Sequence, residues 1–257
     1  MHPIIFKFGP VTIYSYGLMV AIAFIFGIYF AKLEAIRKNI KVDLIYDFIF
    51  YLIIASLIGA RLYYVLFFNP AGFREDPAAI FKIWQGGLSI HGALLGGILV
   101  ALLFSEFRKI SFWRLADITA PSIILGQAIG RFGCFLNGCC FGTPTKLFFG
   151  VRFPKGSLPH LTYGDQLIHP AQLYESIFNI MGFILLWLLR KKIKFDGGLF
   201  LLYLIIYSII RLIVSEFRGD NPYLWDTHIK IAQVVSMGMI IIAGILFFRR
   251  KSKCIKG

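Results

Sequence analysis

The feature that most constrains this chain is a series of seven apolar runs, each close to the roughly 20 residues a helix needs to cross a bilayer's hydrocarbon core. They cover residues 13–31, 44–68, 86–104, 115–137, 173–189, 197–214 and 231–248. Continuous runs of this length exclude the alternating pattern of an outer-membrane barrel. Of the 257 residues, 58 % are hydrophobic and only 16 % charged, whereas a soluble domain carries about 25 % charged residues. An ordinary soluble enzyme and a disordered chain are both excluded. No basic region precedes the first run, which is long enough to span, so no cleavable signal peptide is expected. The expected fold is an all-α integral membrane protein with seven transmembrane helices, a single polytopic domain over residues 1–257.

The 27 Lys and Arg outnumber the 13 Asp and Glu, for a formal charge of +14. In so apolar a chain this excess points to membrane topology and not to nucleic acid. Lys32, Arg37, Lys38 and Lys41 follow the first run, and Arg108, Lys109 and Arg114 the third. Arg190, Lys191, Lys192 and Lys194 follow the fifth, and Arg249, Arg250, Lys251, Lys253 and Lys256 the seventh. These sixteen lie on one side, against eight spread over longer loops on the other: Lys7, Arg74, Lys82, Lys146, Arg152, Lys155, Arg218 and Lys230. The positive-inside rule then sets the N-terminus outside, the C-terminus in the cytoplasm, and a periplasmic segment at about 138–172. That segment is rich in Gly, Pro and aromatic residues and reads equally as a plain loop or as a partly embedded arm.

Arg61, Arg131 and Arg211 lie inside apolar runs, where an arginine costs about 2.5–3.5 kcal/mol on insertion scales. Arg61 and Arg131 sit seven and six residues before the outer ends of their runs, roughly 10 Å of depth at 1.5 Å per residue, and Arg211 lies three residues before the end of its own. His91 and Tyr16 enter their runs to a similar depth. Each arginine alone could snorkel to the interface, but a shared depth on separate helices favours an anion site at headgroup level. Glycine pairs at Gly86–Gly87 and Gly96–Gly97 flank His91 and allow a helix break or close helix approach. Tyr207, Arg211, Ser215 and Arg218 share one helical stripe.

Cys134, Cys139 and Cys140 cluster after the fourth run, and Cys254 lies in the basic tail. The spacing C-x4-C-C lacks the paired C-x2-C pattern of a zinc site. Packing cysteines are the default reading, and a structural disulfide is the alternative. No metal and no cofactor are expected.

The fourth run ends in Gly130-Arg131-Phe132-Gly133-Cys134-Phe135-Leu136-Asn137-Gly138, which resembles the signature of the bacterial prolipoprotein diacylglyceryl transferases. Further motifs match in order. They are Ser15-Tyr16-Gly17-Leu18-Met19, Gly59-Ala60-Arg61 with Tyr64-Val65-Leu66-Phe67, Gly86-Gly87-Leu88-Ser89-Ile90-His91-Gly92, His169-Pro170-Ala171-Gln172-Leu173-Tyr174-Glu175, and Arg211 leading to Glu216-Phe217-Arg218-Gly219-Asp220. The resemblance runs from Tyr16 to Asp220. It implies an inner-membrane enzyme, phosphatidylglycerol as lipid donor, and the lipobox cysteine of a prolipoprotein signal peptide as acceptor, with no nucleic acid. Two departures stand out. The family's best-known form has Asn where this chain has Cys134 and Glu where it has Cys139, and the acidic residue expected four after Arg211 is displaced from Ser215 to Glu216.

The implied reaction is an alkyl transfer. A thiolate attacks the glycerol carbon, glycerol-1-phosphate leaves, and a thioether forms. The leaving phosphate needs a fixed positive charge, and arginine's planar fork binds it bidentately. Arg131 and Arg211 are the expected catalytic arginines, whereas Arg61 is read either as a phosphate ligand or as a structural partner to carbonyls or a carboxylate. The thiol, with a free pKa of about 8.5, needs a base, and His91 has the right chemistry; its alternative is a packing histidine. Tyr16, Asn137, Tyr207 and Glu216 complete the expected substrate-binding set, with Gln172 or Glu175 bracing it. An anion or lipid transporter and an intramembrane lipid phosphatase are the rival classes. Against the transporter stand the one-sided polar layer and the lack of an internal repeat; the phosphatase rests on His169 as a second histidine.

Overall fold

The computed structural model describes residues 3–8, 11–83, 86–224, 227 and 229–256. The chain begins with an antiparallel hairpin of β1 (Ile4–Phe8) and β2 (Val11–Tyr14), in which Ile4 pairs with Tyr14 and Lys7 with Thr12. The long helices are α1 (Ser15–Arg37), α2 (Val42–Phe67), α4 (Ile90–Phe107), α5 (Phe112–Asn137), α7 (Ala171–Leu189), α8 (Gly198–Phe217) and α9 (Ile231–Lys256). Two short ones, α3 (Pro70–Glu75) and α6 (Leu158–Tyr163), lie between them.

Six of the long helices are long and apolar enough to cross a membrane: α1, α2, α4, α7, α8 and α9. The seventh expected run is helical too, as α5, but it falls outside that set. Its apolarity is diluted by Asp117, Thr119, Ser122, Gln127 and Arg131, and the helix is sheltered: from Leu115 to Arg131 only Ile123 is exposed. A helix shielded by protein need not present an apolar surface to lipid. The first run also begins later than its hydropathy suggests, because residues 13 and 14 belong to β2.

Two compact units make up the chain, one of residues 1–31 with 116–257 and the other of residues 32–115. In the larger, α5 is tied to its neighbours by polar contacts. Ser122 Oγ donates to Gly27 O at 2.7 Å, Ser176 Oγ to Ala128 O at 2.8 Å, and Gln127 Nε2 to the Tyr203 hydroxyl at 3.1 Å. Around these, Ile124, Leu186, Leu199, Tyr203 and Val214 form the apolar core. Charged residues from elsewhere in the chain cap α8 at both ends. Asp117 accepts the N–H groups of Gly197 and Phe200 at 2.9 Å each, and the buried Lys230 ammonium donates to the carbonyls of Ser215, Glu216 and Arg218. Both arrangements satisfy helix-terminal groups that would otherwise lack partners and match the sign of the helix dipole. The stretch between α5 and α7 has its own small core of Phe141, Phe153 and Ile168. Backbone bridges tie it down, Val151 to Ile168 and Gly142 to Arg218, so it is an ordered arm.

In the smaller unit α2 and α4 meet through glycine. A Cβ on Gly92 would stand 2.1 Å from the Gly59 carbonyl oxygen, and one on Gly59 2.4 Å from that of Gly92. Only hydrogen fits at either position. The other glycine pair lies outside the helix: Gly86 (φ +87°) and Gly87 (φ +71°) turn the chain through the left-handed region, so α4 starts at Ile90 and not at residue 86. Asp47 and Arg108 pair at 2.9 Å toward the other end of these helices.

Candidate functional site

Helix α7 opens with a polar face. Gln172, Glu175 and Asn179 lie three and four residues apart, so their side chains stack on one side, and all three are buried. The Glu175 side chain is only 1 % exposed. Three arginines converge on it. From α5, Arg131 Nε lies 3.0 Å from Oε1; from α8, a nitrogen of Arg211 lies 3.7 Å from Oε2; from just beyond α8, a nitrogen of Arg218 lies 3.6 Å from the same oxygen. Neither carboxylate oxygen accepts an aligned hydrogen bond among the described residues. The carboxylate is therefore held by charge, in a setting that would penalise it heavily if unpaired.

The three arginines differ in what their donors do. Arg218 grips Asp220 through two parallel bonds, Nε to Oδ1 at 2.8 Å and Nη2 to Oδ2 at 2.7 Å. Burial opposes the charge on Arg218, but that fork leaves its pKa above the ordinary arginine value. Arg211 donates one bond, to Asn221 Oδ1 at 3.1 Å, and its buried Nη1 has no hydrogen-bond partner among the described residues. Arg131 makes its ion pair with Glu175 and, among the described residues, no aligned side-chain hydrogen bond. Among the described residues, three guanidinium charges thus face two carboxylates, Glu175 and Asp220, and Arg131 and Arg211 have the fewest donors engaged. A tetrahedral oxyanion matches that surplus in charge and geometry.

Tyr207 lies one turn before Arg211 on α8, within electrostatic range of Arg131 and Arg211, and stacks on Tyr203 with ring centroids 6.1 Å apart. Tyr16, near the start of α1, interacts electrostatically with Arg131 and packs beside Gly133. Asn137 is exposed as the last residue of α5. Glu216 does not join the cluster: it is exposed, and its Oε1 accepts a hydrogen bond from Gln233 of α9. Displacement by one position on a helix turns a side chain by about 100°, away from the face that Arg211 and Ser215 share. The carboxylate that meets Arg211 is Glu175.

Arg61 and His91 belong to the smaller unit. Arg61 is buried, and its five N–H groups are all engaged by backbone carbonyls: Nε with Ile80, Nη1 with Gly86 and Gly87, Nη2 with Ala79 and Lys82, at 2.5–3.4 Å. A guanidinium has five donors, so none remains for a phosphate. Of the two roles open to it from the sequence, these contacts match the structural one. His91 is exposed in the first turn of α4 and stacks on Tyr63 at 5.9 Å between ring centroids. His169 is enclosed by Phe149, Tyr174 and Phe217, with Nδ1 at 3.1 Å from the Tyr174 hydroxyl. Burial lowers its pKa and favours the neutral ring.

The sequence offers Glu175 as one of two possible braces, Arg218 as a stripe and motif residue counted with the outer loop charges, and Lys230 as a loop charge. The buried polar stripe of α7 was the available signal for Glu175. No local pattern identifies Lys230, because its partners lie 12–15 residues away across a turn of the chain.

Membrane-length helices around a sheltered guanidinium cluster define an integral membrane protein of all-helical class. Over residues 3–249 the sequence matches the family model described as prolipoprotein diacylglyceryl transferase. It is 41 % identical over 249 residues to the phosphatidylglycerol–prolipoprotein diacylglyceryl transferase of Halalkalibacterium halodurans, covering 96 % of this chain and 86 % of that one. The enzyme of the same name from Oceanobacillus iheyensis is 42 % identical over 253 residues, covering 96 % and 87 %, and that from Nostoc is 41 % identical over 242 residues, covering 91 % and 84 %. This chain belongs to the prolipoprotein diacylglyceryl transferase family.

Proposed function

We propose that this chain transfers the diacylglyceryl group of phosphatidylglycerol to the thiol of a prolipoprotein's lipobox cysteine. A sulfur–carbon bond forms at the glycerol carbon, the carbon–oxygen bond to phosphate breaks, and glycerol-1-phosphate leaves. The observation that carries this reading is the pair of incompletely engaged guanidiniums, Arg131 and Arg211, set around buried Glu175. Their positive charge stabilises the phosphate as it takes up the electrons of the breaking bond, an electrostatic contribution strengthened by exclusion of water. Glu175 holds the forks in place and stops them repelling one another. Tyr207 and Tyr16 border the same charges and orient the headgroup, and Asn137 at the end of α5 belongs to the same binding set. His91 takes the thiol proton as general base. Arg61 positions residues 79–82 and 86–87 through its carbonyl contacts.

The same reading assigns α5 as a seventh span, in the bacterial inner membrane, with the N-terminus outside and the C-terminus cytoplasmic. Its 26 residues reach about 39 Å at 1.5 Å each, more than the roughly 30 Å core, and the sixteen-to-eight partition of basic residues supports the orientation. The arm at about 138–172 is then periplasmic, within one polytopic domain.

Incubation of the purified chain with phosphatidylglycerol and a lipobox peptide is the direct test. Thioether-linked peptide and glycerol phosphate, each dependent on both substrates, are expected. Free phosphate would instead indicate a phosphatase, and no product a carrier.

A further inference from the structure

The thiols of Cys134, Cys139 and Cys140 are not used by the proposed reaction, yet their sulfur atoms all lie within 4.8 Å of one another. The convergence is built into the backbone. Helix α5 ends with the N–H groups of Gly138 and Cys139 both donating to Cys134 O, at 2.9 and 3.1 Å, which folds the chain back over its own last turn. Cys140 follows with φ +59°, a left-handed conformation that a non-glycine residue holds only when its surroundings impose it. Gln172 Nε2 donates to Cys139 O at 2.8 Å, and Gly142 N donates to His169 O at 3.1 Å, so the turn is pinned on both sides.

We propose that Cys134, Cys139 and Cys140 form a binding site for one soft, thiophilic cation, Cu(I) or Zn(II). Three sulfurs around a single ion at about 2.3 Å stand roughly 4 Å apart, so small side-chain rotations complete the site. Sulfur donors select these soft ions over oxygen-seeking ones. No His, Asp or Glu joins the group among the described residues. Three-coordinate Cu(I) is satisfied by the trio alone, whereas Zn(II) takes water as a fourth ligand. Binding releases the thiol protons to solvent and leaves a complex of net negative charge. Arg131 and Arg218 both lie within electrostatic range of Cys140, so compensating positive charge is at hand. Cys134 is buried while Cys139 and Cys140 are half-buried, which leaves the ion a way in.

The test uses the full chain, reduced, in detergent or nanodiscs. One arm titrates Cu(I) against a chromophoric Cu(I) chelator. The other titrates Zn(II) against its own chelator, with Cd(II) as an ultraviolet reporter of thiolate coordination. One ion per chain is expected in at least one arm. Each of Cys134→Ser, Cys139→Ser and Cys140→Ser should weaken binding by at least about 100-fold. Cys254→Ser, near the end of α9 and outside the trio, should leave it unchanged. Circular dichroism and size-exclusion profiles identify any variant that misfolds, and the remaining two cysteine variants then decide. Absence of one-to-one binding in both arms, or binding that survives replacement of Cys139 and Cys140, would overturn the proposal. So would a disulfide within the trio in protein taken directly from membranes, since paired sulfurs cannot serve as thiolate ligands.

Discussion

Arg131 Nε lies 3.0 Å from the carboxylate of Glu175, whose side chain is 1 % exposed. The pair joins α5 to α7, and Arg211 and Arg218 crowd the same carboxylate from the other side. One buried acid for three guanidiniums is an unusual ratio, because each charge taken out of water must be compensated. Asp220 compensates Arg218 through a bidentate fork. What remains is a local excess of positive charge on Arg131 and Arg211, which the phosphate diester of the proposed lipid donor would neutralise.

Lysine should not replace these two arginines, since an ammonium lacks the planar fork. Arg131→Lys and Arg211→Lys are each expected to slow diacylglyceryl transfer by at least about 100-fold, near 2.7 kcal/mol of transition-state stabilisation. Arg61→Lys should act differently. It leaves at least two of five carbonyls without a donor and should cost about 2–6 kcal/mol of stability, at about 1–3 kcal/mol per lost partner, with turnover per folded molecule nearly kept. Thermal unfolding beside turnover separates the two effects. Equal tolerance of lysine at Arg131, Arg211 and Arg61 would remove the phosphate role.

Glu175→Gln removes the one carboxylate the three arginines share. Breaking a buried pair costs about 3–5 kcal/mol, so a marked fall in melting temperature is expected. Inorganic phosphate should restore part of the loss by supplying the missing negative charge, and should stabilise the variant more than the parent. A variant whose melting temperature ignores phosphate would mean that the cluster does not take up an oxyanion.

For His91→Gln, loss of a general base predicts a 10²–10⁴-fold fall in turnover with lipid binding retained. Because the acceptor thiol ionises near pH 8.5, raising the pH should partly rescue the variant by supplying thiolate directly. Turnover that stays equally low from pH 6 to 9 would make His91 an orienting residue. Near-normal turnover would make it a packing partner of Tyr63.

The α2–α4 contact has a sharp steric test. A methyl group at Gly92 meets the Gly59 carbonyl oxygen at 2.1 Å, so the helices must separate. Gly92→Ala should therefore lower stability by about 1–3 kcal/mol, the usual cost of overpacking, measured as denaturant or thermal unfolding in detergent. An unchanged transition would mean that α4 shifts freely along α2.

Topology is tested with single cysteines placed at Ser157 and Ser252 in an otherwise cysteine-free chain. An impermeant thiol reagent applied to spheroplasts should label Ser157→Cys and spare Ser252→Cys. The opposite pattern would invert the orientation and put the arginine cluster near the wrong leaflet.

Much of this was legible without coordinates. Hydropathy alone located the long helices, because a lipid-exposed helix must be apolar along its length, and the basic residues at their ends carry an orientation signal for the same solvation reason. Buried arginines stood out as costly, and motif order pointed to the family. Partner choice was not legible. Nothing local distinguishes Arg61, whose donors all end on carbonyls of one loop, from Arg131, whose fork faces Glu175. The hairpin of residues 4–14 and the start of α4 at Ile90 were also missed, since short strands and positive-φ glycines leave little trace in hydropathy. Solvation acts residue by residue, so the sequence by itself determined which segments are apolar enough to cross a membrane and which side chains would be expensive there. Which charge answers which is a matter of a few ångströms between helices far apart in the chain, and only the tertiary structure decided that.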